Sequence, residues 1–382
     1  DSVYRDNATS LYDIAAATLA LEKHFSPRWS LKAGAKYTRN DMRNDALYEY
    51  RRGDVWLRNE RQSFTINYTE NIAAAYAIAS AKLGAVSFVA GVRGEYTHTT
   101  GKGVGQDYFS LFPNASLSWS VSEQKGWSLI AQYARTIERP RFWSLSPQRM
   151  QLSDYTYQTG NPSLDPSFKH DVSLTLVAAH KYTLTAGVQI VNDEIQQTMK
   201  ADSENPDLLQ VAWVNYDATK GYYLSVNLPF QPAKWWQLNA DITYMRRGQR
   251  VDQHGAEEFF DWGFVNLSTT LTLPAKFYID LSYRYQSRVD LGNCWVNPDH
   301  RLQAGVKKRF GDRFTASFSV QNLLDQGQVI GARGDGFVRT VDARQTWSNR
   351  TYRIGVTWNF KSGKAFKRKA VEAGSADEKS RL

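Results

Sequence analysis

The feature that most constrains this chain is a side-chain period of two, repeated from end to end and bounded by large aromatics. In 351–360, Tyr352, Ile354, Val356, Trp358 and Phe360 fall on one face, and Arg353, Gly355, Thr357 and Asn359 on the other. Successive strand side chains point to opposite sides, so one face of this segment is apolar and the other polar. The pattern recurs at 277–286, where Phe277, Ile279, Leu281, Tyr283 and Tyr285 alternate with Tyr278, Asp280, Ser282, Arg284 and Gln286. It recurs again at 236–245, 182–191, 314–321, 115–121, 127–133 and 31–37. Helical spacing fits none of these windows better.

The connections between the windows are of two kinds. Short ones fall at 26–29 (SPRW), 83–86 (LGAV), 122–126 (SEQKG), 179–182 (AHKY), 230–234 (FQPAK), 273–276 (LPAK) and 311–314 (GDRF). Long polar ones alternate with them, roughly at 44–62, 101–107, 140–167, 200–208, 250–257, 288–297 and 322–345. Short turns at one end and long loops at the other mark an outer-membrane barrel. Aromatics flank the short turns, as Phe25 and Trp29, Trp119 and Trp127, or Phe310 and Phe314 do, and Tyr and Trp favour the lipid interface.

Composition agrees. No run approaches the 18 apolar residues of a spanning helix, but a spanning strand needs only about ten residues, half of them polar, so a negative mean hydropathy is compatible with a membrane. The single cysteine, Cys294, excludes a disulfide framework and a cysteine-rich metal site. The net charge of +9 is dispersed among acids, except for the run at 364–369 (KAFKRK). Asp377 and Glu378 follow that run and no base-stacking platform accompanies it, so a solvated tail is expected and no nucleic-acid partner.

The windows predict fifteen strands: 12–24, 29–42, 64–82, 87–100, 108–121, 127–139, 168–179, 181–199, 209–229, 235–250, 258–273, 276–287, 298–310, 313–321 and 346–360. The fold class is all-β, an antiparallel transmembrane barrel. An odd count is at variance with the even number of a closed bacterial barrel, which predicts an open, incomplete wall with an unpaired edge at the strand near 12–24. With no plug segment read in the sequence, a wide, empty lumen is expected.

The segments "YARTIERPRFWSLSP" (133–147) and "DYTYQTGNPSLDPSF" (154–168), with the closing "VTWNFKSGKAFKRK", resemble the outer-membrane β-barrel family of TonB-dependent-receptor-like proteins. The resemblance implies the C-terminal part of a plugged barrel of about 22 strands, with the barrel over 1–360 and a periplasmic basic-acidic tail over 361–382. It also implies long loops outside the cell and short turns in the periplasm. The implied partners are outer-membrane lipid and lipopolysaccharide, the barrel-assembly machinery, TonB through an N-terminal region, and an imported ligand. In such proteins the last strand serves as the insertion signal, a role that would fall on Tyr352, Ile354, Val356, Trp358 and Phe360.

The candidate ligand loop carries Arg139, Arg141, Trp143, Arg149, Asp154, Tyr155 and Tyr157. Two readings stand side by side: long external loops contact ligands, or Pro140, Pro147, Pro162 and Pro166 shape a loop that covers the rim. The polar rows, among them Lys32, Lys36, Arg93, Glu95, Asp241, Asp280, Arg284 and Arg353, line a lumen. The six histidines show no metal-ligand spacing, and no cofactor motif is present. A catalytic reading would begin at Asp299, His300 and Ser287, without a nucleophile motif to support it. The expected function is therefore transport through a barrel rather than catalysis. The alternatives are an outer-membrane hydrolase, a passive or structural barrel, and a soluble propeller; the last needs four strands per 40–50 residues where this chain supplies two.

Overall fold

A computed structural model describes residues 3–60, 63–101, 104–147, 149–153, 155–250, 254–334, 337–342, 350–360 and 380. Fifteen strands follow one another along a single antiparallel wall: Tyr4–Ser26, Trp29–Arg52, Phe64–Leu83, Val86–Gly101, Val104–Ser122, Trp127–Glu138, Ser167–Ala178, Tyr182–Asn192, Thr219–Ala233, Trp236–Arg250, Glu257–Leu273, Phe277–Gln286, Asp299–Phe310, Phe314–Gln321 and Thr351–Trp358. A short strand, Val55–Arg58, folds back on Trp29–Arg52.

The register carries the alternation across the wall. Ile242 lies opposite Val265, Leu267 opposite Tyr283, Ile279 opposite Val306, Val306 opposite Phe318, and Phe318 opposite Ile354. On the other face Asp241 lies opposite Asn266, Asn266 opposite Arg284, and Ser319 opposite Arg353. Directly opposed residues share a face, so apolar rows join into one outer band and polar rows into one inner surface. The aromatics beside the short turns, Phe25, Trp29, Trp119, Trp127, Trp235, Phe310 and Phe314, are exposed. Some stack on one another, as Phe314 and Trp358 do at 5.8 Å.

The wall is open among the described residues. Tyr4–Ser26 pairs only with Trp29–Arg52, and Thr351–Trp358 only with Phe314–Gln321. Tyr352, Ile354, Val356, Trp358 and Phe360 are all exposed on or beside this second edge. The 361–379 stretch of the basic-acidic tail lies outside the described residues.

Two segments read as single strands are not. The 181–199 stretch divides at Asp193, which adopts a left-handed φ of 53°, into the wall strand Tyr182–Asn192 and a separate strand, Glu194–Ala201. The 209–229 stretch divides in the same way into Leu209–Tyr216 and the wall strand beginning at Thr219. At the first break the apolar positions change parity, from Tyr182, Leu184, Ala186, Val188 and Ile190 to Ile195 and Met199, a mark that reading 181–199 as one strand overlooked. The freed strands join Thr156–Thr159 and Met150–Ser153 in a four-stranded sheet at the loop end of the wall. A second rim sheet forms from Val289–Leu291, Cys294–Val296, Val329–Gly334 and Phe337–Asp342. Asn293 ties the two sheets together: its amide donates to the Met199 carbonyl at 2.5 Å, and its carbonyl accepts from the Met199 N–H at 3.3 Å. Much of 44–62, read as loop, is the outer continuation of Trp29–Arg52 and its hairpin with Val55–Arg58.

The lumen is not empty. A single helical turn, Phe142–Leu145, folds inward with Leu164 onto Met42 and Tyr68 of the inner face. The Phe142 ring lies 5.7 Å from that of Tyr12 and 6.0 Å from that of Tyr68. The expectation of an empty lumen overlooked the apolar residues that the 140–167 segment itself supplies.

Candidate functional site

The 140–167 segment is one of the long connections of the wall and is held by its own backbone. Gly160 N–H donates to the Ser146 carbonyl at 2.9 Å and Asn161 N–H to the Ser144 carbonyl at 2.6 Å. A Cβ at Gly160 would lie 2.2 Å from the Ser146 carbonyl, so only glycine permits this approach. The Asn161 side chain donates to the Trp213 carbonyl at 3.0 Å and accepts from the Ser163 N–H at 2.9 Å. The Gly-Asn-Pro motif thus joins the inward helix to the first rim sheet.

Arg139 leaves the wall at the start of this segment and points to Glu95. Its guanidinium donates to Glu95 at 2.6 Å and to Thr97 Oγ1 at 3.3 Å, and Arg93 donates to the other Glu95 oxygen at 2.5 Å. Glu95 and Arg139 side chains are only 8% and 12% exposed. Nearby, Asn40 donates to the buried Glu70 at 2.8 Å. This is an internal charge network that anchors the loop.

The other candidate loop residues separate by environment. Arg149 lies 3.8 Å above the Tyr157 ring, and the buried Tyr157 hydroxyl donates to Asp202 across the rim sheet. Trp143 meets Trp213 edge-on at 5.1 Å. Arg141, Trp143 and Tyr155 present exposed surface, Tyr155 most of all at 61%. Asp154 lies outside the described residues. The structure therefore divides the other six: Arg139 and Tyr157 hold the fold, Arg149 braces Tyr157, and Arg141, Trp143 and Tyr155 offer a cation and two ring faces to solvent. Asp202 and Trp213, partners that sequence reasoning missed, lie 45 and 52 residues from Tyr157 and Asn161. No local spacing signals either.

Burial and the Asp202 carboxylate push the Tyr157 hydroxyl up to about 12, while the hydrogen bond from Tyr157 holds Asp202 below the usual carboxylate range. The depressed acid stabilises the rim sheet above about pH 4, and that contribution is lost as pH falls through the folded value. The raised phenol stabilises it below about pH 10, and that contribution is lost as pH rises towards 12. Tyr157→Phe is expected to cost about 1 kcal/mol between those limits, since Asp202 is partly open to water. Amide exchange at Leu209 and Val211 should rise in the variant at pH 7 and converge with the parent at the extremes; unchanged exchange at pH 7 would remove this role.

The catalytic trio does not converge. Asp299 accepts from Arg301 at 2.6 Å, and His300, next along the strand, meets the Tyr283 hydroxyl at 2.7 Å. Adjacent strand residues face opposite sides. The Ser287 hydroxyl accepts from the Gly263 N–H at 2.8 Å and donates to the Arg288 carbonyl at 3.1 Å.

The sequence profile of the outer membrane protein beta-barrel family matches residues 1–358. No curated protein sequence matches the chain. Among solved structures, the copper transporter OprC is similar at a TM-score of 0.66 and 13% identity, over 92% of this chain and 57% of its own. The ferric yersiniabactin uptake receptor FyuA of Yersinia pestis is similar at 0.63 and 13%, over 94% and 56%. The ferric-catecholate import receptor Fiu of E. coli K12 is similar at 0.60 and 13%, over 93% and 55%. The chain spans little more than half the length of each, and at these identities the likeness is one of fold.

Proposed function

We propose that this chain, which belongs to the outer membrane protein β-barrel family, forms the C-terminal part of a receptor barrel that imports a ligand across the bacterial outer membrane. The observation that carries the reading is the fifteen-strand wall itself: open at both edges among the described residues, polar inside, and similar along nearly its whole length to a copper transporter and an uptake receptor of which it covers 57% and 56%. In this reading about seven further strands and a plug complete the wall, as in plugged barrels of about 22 strands. The plug region engages TonB, and the edge strand with Tyr352 through Phe360 addresses the barrel-assembly machinery. The rim sheets and long loops face outward, and the short turns and the tail lie in the periplasm. Arg141, Trp143 and Tyr155 are the loop residues placed to meet a ligand. The scattered directions of Asp299, His300 and Ser287 favour import over hydrolysis.

Two measurements test this reading together. A protease site is placed in the exposed 203–207 turn of the rim rather than at Gly160, whose backbone is packed against Ser146. It should be cut on intact cells, whereas one at Gln124 should be protected. Cells lacking the protein should also accumulate less of at least one member of a panel of radiolabelled iron chelates and copper, the two cargo classes of the similar structures. That accumulation should return with the gene and stop when the proton-motive force is collapsed. Cutting at Gln124 instead would invert the topology, and identical uptake across the panel with and without the protein would overturn import of these cargo classes.

A further inference from the structure

The two ends of the wall differ in how they handle charge. Each short turn carries a basic residue within it or directly beside it: Arg28, Lys82, Lys125, Lys181, Lys234, Lys276 and Arg313. All seven are exposed. Fewer acids accompany them, namely Glu22, Glu123 and Asp312. Asp312 is shared between Lys276 at 3.8 Å and Arg309 at 3.3 Å, and Glu22 meets His24 at 3.2 Å. Among the described residues Arg28, Lys82, Lys125, Lys181, Lys234 and Arg313 make no ion pair with a carboxylate. On the outer face at the loop end several cations are paired instead, although Lys220 is exposed without a carboxylate partner among the described residues. Arg39 pairs with Asp41 and Arg43 with Asp45 at 2.7 Å, His98 meets Asp107 at 2.6 Å, and Arg246 meets Asp261 at 3.6 Å.

The cations of the turn end sit among rings at the edge of the apolar band. Lys308 Nζ lies 3.9 Å from the Phe277 ring centre, Lys181 Nζ 4.6 Å from that of Tyr182, and Lys23 Nζ 5.4 Å from that of Phe25.

We propose that the turn end of the wall is a docking ring for anionic glycerophospholipid headgroups of the leaflet it meets. Unpaired lysines and arginines close to a bilayer surface attract negative lipid, and their stems can lie along apolar surface while the charge reaches the headgroups. The aromatics alongside anchor the depth at which this happens. At the loop end Arg39, Arg43 and Arg246 are paired with carboxylates within the wall, so a weaker preference is expected there. The inference rests on the membrane wall alone and stands independently of import.

Tryptophans 119, 127 and 235 lie in the same girdle and report on it. The protein is reconstituted into vesicles in which brominated phosphatidylglycerol competes with unbrominated phosphatidylcholine, and tryptophan quenching gives the relative binding constant. Phosphatidylglycerol should be preferred several-fold at low salt, and the preference should fall as salt rises. K82Q/K181Q/K234Q should reduce it, by up to about fivefold per charge removed, and arginine at the same positions should retain it. R39Q/R43Q at the loop end should leave it unchanged. Heat-modifiable gel migration checks folding; if the glutamine variant fails to fold, the salt titration of the parent and the arginine set decide the matter. Equal binding of the two lipids by the parent, a preference insensitive to salt, or its loss in R39Q/R43Q would overturn the proposal.

Discussion

Ile242→Arg is expected to destabilise the wall by about 2–4 kcal/mol, the cost of a charge facing lipid near the midplane. Ile242 lies midway along the outer row of its strand, 42% exposed, between Val226 and Val265 on the neighbouring strands. Thr243, one residue on, faces the lumen, where its hydroxyl shares a 2.9 Å hydrogen bond with Ser225. Thr243→Arg loses that bond but keeps its charge in water, so its cost should be about 1 kcal/mol. Leu238 and Ile279 share the outer face but lie nearer the girdle of Trp235, Trp236 and Phe277, and arginine there should cost less than at Ile242. Denaturation midpoints in lipid vesicles, read by heat-modifiable migration, provide the comparison. Equal costs at 242 and 243 would overturn the assignment of faces.

Glu95→Gln should be the most damaging single change at the mouth of the lumen, at about 3–5 kcal/mol. Glu95 is the shared acceptor of Arg93 and Arg139, and removing its charge leaves the poorly exposed Arg139 guanidinium beside a second cation. Arg93→Gln should cost less, because the Glu95–Arg139 pair survives. Pairing Glu95→Gln with Arg139→Gln should recover part of the loss, since the stranded charge is then gone. The inward helix hangs from Arg139 through Pro140 and Arg141, so Glu95→Gln should also expose the 140–167 segment to protease. A double variant no more stable than Glu95→Gln would mean that the pair is not the anchor.

The Arg139–Glu95 pair also marks where sequence reading stops. Arg139 stood among the ligand-loop candidates because it opens a long loop, and Glu95 among the lumen rows because of its parity in its strand. Each position was legible, but their meeting across 44 residues was not. Tyr157 and Asp202 repeat the case: an aromatic in a loop reads as a ligand contact until a carboxylate on another loop occupies its hydroxyl. Arg141, Trp143 and Tyr155 keep exposed surface among the described residues, and a ligand role for them is a proposal.

The sequence by itself determined the wall. Lipid outside and water inside act on every residue of a spanning strand, so each strand records its faces in its own alternation and its ends in aromatics and turns. The fifteen strands, their order and the open edges follow from that local record. Only the tertiary structure decided the rim and the mouth. Between strands 182–192 and 194–201 the apolar positions change parity across Asp193, but which sheet each strand joins is decided only by the tertiary structure. The 140–167 segment turns inward because Phe142, Leu145 and Leu164 find Met42 and Tyr68 on strands about a hundred residues earlier. Beyond the membrane no two-sided solvent imprints a pattern on the chain, and the fold there depends on which distant apolar and charged groups come within reach of one another.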